Sequence, residues 1–76
     1  MTKKIKATEL KRGDAFITDM WGNLWKRVSP HTCVVMSVTE RPGGNLNIMV
    51  KARENGSTMD YVVDVSATPD TEYTLA

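Results

Sequence analysis

Apolar and polar residues alternate along much of this chain, and no segment carries a helical period. In Leu46-Asn47-Ile48-Met49-Val50-Lys51-Ala52, every second residue from Leu46 is apolar. A period of two over this length predicts a strand with one buried face. β-Branched residues are abundant, and turn signals recur at short spacing: Gly13-Asp14, Gly22-Asn23, Pro42-Gly43-Gly44, Asn55-Gly56 and Pro69-Asp70. Short strands punctuated this way predict an all-β barrel or sandwich. Only Ala7 to Lys11 suggests a helical turn, with Thr8 as its cap.

Asn55-Gly56 predicts a two-residue type I′ hairpin turn, in which both central residues take positive φ. With Glu54 opposite Ser57, strands Leu46–Glu54 and Ser57–Val65 pair. Ala52 then faces Met59, Val50 faces Tyr61, Ile48 faces Val63 and Leu46 faces Val65. The other face pairs Lys51 with Asp60 and Met49 with Val62. A one-residue slip would destroy this agreement. A three-residue Pro42-Gly43-Gly44 loop sets Val38 opposite Ile48, Met36 opposite Val50 and Val34 opposite Ala52. Cys33 to Val65 thus reads as a three-stranded meander with one apolar side.

Ala15–Met20 and Leu24–Val28 read as strands around Trp21-Gly22-Asn23. Loops of two or three residues both leave apolar side chains on each face, so a bulge or strong twist is expected. Glu72–Leu75 reads as a last strand that pairs with Lys4–Lys6 in a small closed barrel.

The 76 residues suit one domain, residues 1–76. Cys33 is the lone cysteine and His31 the lone histidine, so no disulfide within the chain and no metal site is expected. No cofactor motif is present either. The formal net charge is +1, but it is unevenly spread. Up to Pro30 there are seven Lys/Arg and three Asp/Glu; after Arg53 there are five acids and no bases. Pairing of the two ends would cancel much of this split. No apolar run follows Lys3-Lys4-Ile5-Lys6, and no stretch is long enough to cross a bilayer, so a cytoplasmic location without membrane association is expected.

The segments Ala7-Thr8-Glu9-Leu10-Lys11-Arg12-Gly13-Asp14-Ala15-Phe16 and Gly22-Asn23-Leu24-Trp25-Lys26-Arg27-Val28 resemble the opening of small SH3-like β-barrels, including KOW-type translation modules and short bacteriophage proteins. Leu10, Gly13, Asp14 and Trp25 carry the match, over the first third of the chain. The resemblance implies an SH3-like barrel of five or six antiparallel strands, and for a phage protein the cytoplasm of a bacterial host. It implies no activity, because one fold hosts many functions. Gly13-Asp14 is expected to be a structural turn, with Leu10 plugging one barrel end.

Two surfaces compete for a functional role. Trp21 and Met20 sit at a predicted hairpin tip, and Met49, Val62 and Val35 fall on the predicted outer face with Cys33. Exposed aromatic and apolar clusters mark protein contacts, either with a partner or with a second copy. Alternatively, Lys11, Arg12, Lys26 and Arg27 converge near Trp25, which suits single-stranded nucleic acid. Trp25 itself is placed in mid-strand, at least half in the core, and His31 in a surface loop. Cys33 and His31 point to one face, but no third group orients the base. The expected function is therefore a non-enzymatic binding module.

Overall fold

The computed structural model describes residues 3–76. Six strands follow one another: β1 (Lys4–Lys6), β2 (Ala15–Gly22), β3 (Arg27–Glu40), β4 (Leu46–Glu54), β5 (Asp60–Ala67) and β6 (Glu72–Leu75). A single 3-10 turn, Ala7–Glu9, lies between β1 and β2 and has no side-chain cap, so Thr8 does not serve as one. The strands form one antiparallel sheet in the order β1-β6-β2-β3-β4-β5. The fold is all-β, as the alternation predicts.

β1 and β5 stand at the two ends of this order, and among the described residues no ladder joins them. The six antiparallel strands are those expected, without a closing β1–β5 ladder among them. The sheet still encloses its own core. Ala7, Leu10, Phe16, Ile48, Val50, Ala67 and Tyr73 belong to one buried cluster. Among the described residues no second sheet or helix layer covers that cluster, so the sheet must curl over it. Leu10, expected to plug one barrel end, is buried in this cluster. Phe16 and Tyr73 pack ring to ring, with centroids 4.4 Å apart.

The opening turn is structural. The Asp14 carboxylate accepts from the Lys11 N–H at 2.8 Å, and Gly13 takes φ +94°. Gly13 donates to the Val35 carbonyl, and Val35 donates to that of Asp14. The turn thus feeds directly into the β2–β3 ladder. β6 lies between β1 and β2, with Lys4 opposite Thr74, Ile5 opposite Tyr73 and Lys6 opposite Glu72. The terminal strands pair as expected, and the basic start of the chain lies beside its acidic end.

Three registers differ from expectation. In the β4–β5 hairpin, Ala52 faces Tyr61, Val50 faces Val63, Ile48 faces Val65 and Leu46 faces Ala67. The offset is two residues, so every side chain keeps its face. Its cause is the turn: Ser57 donates to the Glu54 carbonyl, but positive φ falls on Gly56 alone. That pattern belongs to type II, not type I′, and residues 57–59 lie outside the strand. Met49 consequently faces Asp64, and Val62 faces Lys51.

The second difference is a bulge in β3. Val38 faces Ile48 as expected, but the register then shifts between Val35 and Ser37, and Val35 faces Val50. One extra residue turns the rest of the strand over. Cys33 and Val35 therefore point into the core, at 0% and 1% exposure, while Val34 and Met36 are exposed. The outward placement of Val35 and Cys33 is thus corrected.

The third difference lies in the first hairpin. Trp21 faces Val28, Phe16 faces Cys33, and β3 runs through Ser29-Pro30-His31. Pro30 is tolerated because its N and C=O point beyond the end of β4, where its carbonyl accepts from Asn55 at 3.0 Å. His31 is fully buried in the strand rather than exposed in a loop.

Candidate functional site

The inner and outer faces of the sheet carry different chemistry. At the hairpin end the inner face is polar. Glu54 is buried, and its carboxylate accepts from the backbone N–H of Leu24 at 2.9 Å and Trp25 at 3.1 Å, and from the Ser29 hydroxyl at 3.2 Å. Burial pushes this carboxyl up. The three donors and neighbouring His31 outweigh it, and the group lies below its ordinary range. Gly22 sits against this cluster; a Cβ there would collide with the Glu54 carboxylate and lie 2.5 Å from the Ser29 hydroxyl.

His31 is the cross-strand partner of Glu54. Its Nδ1–H donates to the Ser29 carbonyl at 2.8 Å, and its Nε2 has no partner. Burial pushes the Cys33 thiol up to about 11. The thiol is protonated near neutral pH, so this Cys-His pair supplies no thiolate nucleophile. Among the described residues, no three His, Cys, Asp or Glu side chains gather as metal ligands.

Trp25 is not in a strand. It lies in the 23–26 connection, half exposed, and its indole Nε1–H donates to the Asn55 carbonyl at 2.9 Å. The ring packs over Gly56, and the Arg27 guanidinium lies 5.9 Å from its centroid. Trp25 therefore fastens the two hairpin tips together. Met20 is on the inner side and packs against the core. It does not share a surface with Trp21.

The outer face gathers the exposed apolar side chains. Trp21 and Val28 are direct cross-strand partners, 60% and 63% exposed. Ile17 lies on the same face of β2, four residues before Trp21, and is also exposed. Alternation carries Val34 to this face of β3, and the bulge leaves Met36 exposed beside it. Across β4 and β5 the face continues through Met49 and Val62, 37% and 56% exposed. These two are diagonal rather than direct neighbours, since Val62 pairs with Lys51. Trp21, Met49 and Val62 are thus on one face as expected; Val35 and Met20 are not.

Sequence reasoning missed Ile17, Val28, Val34 and Met36. Their signal was period-two spacing from Trp21 through Ile17, and from Val28 through Val34, once the β2–β3 register is known.

Charged groups lie among and beside these apolar side chains, with Lys51 between Val34 and Val62. Arg53 grips Asp60 through two hydrogen bonds, of 2.6 and 3.1 Å. The contact holds the Asp60 carboxyl below its usual range. A concavity of about 310 Å³ is lined by Thr32, Val34, Lys51, Arg53 and Asp60. A second, lined by Arg12, Gly13, Val34, Val35, Met36 and Lys51, adjoins it.

The four cations expected to converge do not. Lys11 and Arg12 precede the start of β2, while Lys26 and Arg27 follow its end. A strand of that length separates them by about 23 Å. Trp25 stays with the second pair only. No helix among the described residues is long and apolar enough to cross a membrane. Comparisons with protein-family models, curated proteins and solved structures gave no match.

Proposed function

We propose that the protein is a non-enzymatic binding module that presents the outer face of β2–β5 to a protein partner. The observation that carries this reading is the number of exposed apolar side chains gathered on that face, from the Trp21–Val28 pair and Ile17 to Val34, Met49 and Val62, with Asp19 and Lys51 among them. Exposed apolar clusters are typical of protein contact sites, and Trp is enriched among residues that dominate binding. The opening segment's resemblance to SH3-like phage proteins favours a host protein as that partner. The separation of Lys11 and Arg12 from Lys26 and Arg27 removes the motive for preferring nucleic acid.

The test compares capture of host proteins by the wild type with capture by Trp21→Ala and Met49→Lys. A specific partner should be retained by the wild type at high salt and lost by both variants. Retention by both would refute the outer-face reading. Release by moderate salt, with nucleic acid in the bound fraction, would favour phosphate contacts instead.

A further inference from the structure

The two edges of the sheet differ in a way the outer-face reading does not use. β1 is three residues long, and Lys4 and Lys6 flank its only apolar residue. Short strands and lysines are among the devices that stop an edge from pairing with another chain. β5 has neither. It runs from Asp60 to Ala67 without lysine, arginine, proline or glycine, and five of its residues are Tyr, Val or Ala. Its inner-face residues Val63 and Val65 pack on the core but remain partly exposed. Among the described residues, no backbone hydrogen bond outside the β4 ladder reaches it. A row of backbone donors and acceptors therefore faces outward along the whole strand.

We propose that this edge pairs with the same edge of a second copy, antiparallel and two-fold symmetric, with Val63 opposite Val63. The register follows from charge and from face. A two-fold axis that keeps inner face beside inner face must set a residue opposite itself. Centring on Val62 sets Asp60 opposite Asp64 twice, and centring on Asp64 sets that carboxylate opposite its own copy. Centring on Val63 engages residues 60–66 of both chains and opposes no two aspartates. Tyr61 then meets Val65 on the inner face, so both cores continue across the joint. On the outer face Val62 meets Asp64, and Asp60 meets Ser66. Outside this register, the long pairings place like charges in contact, which destabilises a ladder.

Val62 supplies a register-specific test. In the proposed dimer it faces Asp64 of the second copy, and the contact occurs twice. Val62→Asp creates two like-charge pairs, and Val62→Lys two opposite-charge pairs. Within one chain Val62 faces Lys51, so the effects on the isolated fold have the reverse sign. Weakened association in Val62→Asp is therefore not attributable to unfolding, which thermal melts of each variant check. Sedimentation velocity across a wide concentration range should show a wild-type dimer. Its dissociation constant should rise about tenfold in Val62→Asp and fall several-fold in Val62→Lys.

A wild type that stays monomeric throughout overturns the proposal and assigns the edge to a strand from another protein or to none. Equal weakening by both charges overturns it too, since that would mean an apolar contact in place of this ladder. Trp21→Ala, on β2, leaves the dimer intact, so loss of the outer-face partner and loss of the dimer are separable results.

Discussion

The two ends of the sheet's interior are closed by opposite means. One end is filled by Leu10, Phe16 and Tyr73, and the other by Ser29, His31 and Glu54. The apolar end gains from removing surface from water, which depends little on direction. The polar end depends on donors meeting acceptors, because a buried polar group without a partner is costly. Glu54 meets that condition with three donors, and they belong to the connection that carries Trp25. The apolar end therefore serves bulk stability, whereas the polar end fixes the shape of a particular loop.

Substitutions at each end should break this contrast in different ways. Phe16→Ala should have the largest effect, a loss of about 3–5 kcal/mol, because it empties the centre of the apolar end. Denaturant melts would measure it, and a loss below 1 kcal/mol would mean that the end collapses to refill. Gly22→Ala should cost about 1–3 kcal/mol by forcing Glu54 and Ser29 apart. It should also shift Trp25 fluorescence well below the unfolding transition, which Phe16→Ala should not do.

Acid should act on the polar end next. The folded-state value of Glu54 lies below its ordinary 4.5. Its stabilisation is therefore complete above that pH and is lost as pH falls through the lower folded value. Asp60 has the same sign, through Arg53. The thermal midpoint should fall on acidification below about 4.5, and Glu54→Gln should flatten part of that slope while Asp60→Asn removes a separate part. An unchanged acid slope in Glu54→Gln would show that the cluster does not depend on the charge. The smallest effect belongs to the outer face, where Met49→Lys should change stability by less than about 0.5 kcal/mol. A larger loss would place Met49 in the core.

The apolar end was legible in the sequence because alternation specifies which face a residue takes. Ile48, Val50 and Ala52 fall inward, and Met49 outward, as their spacing predicts. Alternation cannot detect a slip of two residues, since that preserves both faces. The β4–β5 offset was hidden for that reason. The β3 bulge was hidden because Val34, Val35 and Met36 are all apolar, so either parity satisfies the pattern. The polar end was illegible for a different reason. Ser29, Pro30, His31 and Glu54 look like loop and surface residues until their partners are placed, and those partners, backbone groups for the most part, lie up to 30 residues away. The outer face was partly legible, through Trp21, Met49 and Val62. Its β3 members depended on the bulge and were not.

β6 sits between β1 and β2, although it is made after β2 to β5. Neither neighbour can complete its ladder before residues 72–75 have left the ribosome. Until then the growing chain has only the β2–β3–β4–β5 meander, with the β2 side of Phe16 uncovered. The docking of β6 onto β1 joins segments far apart in sequence, Lys4–Lys6 with Glu72–Thr74, and pairings at such separation slow folding. Completion of the sheet thus waits on residues 72–75, and the meander that precedes them is the species most exposed to aggregation or to chaperone capture.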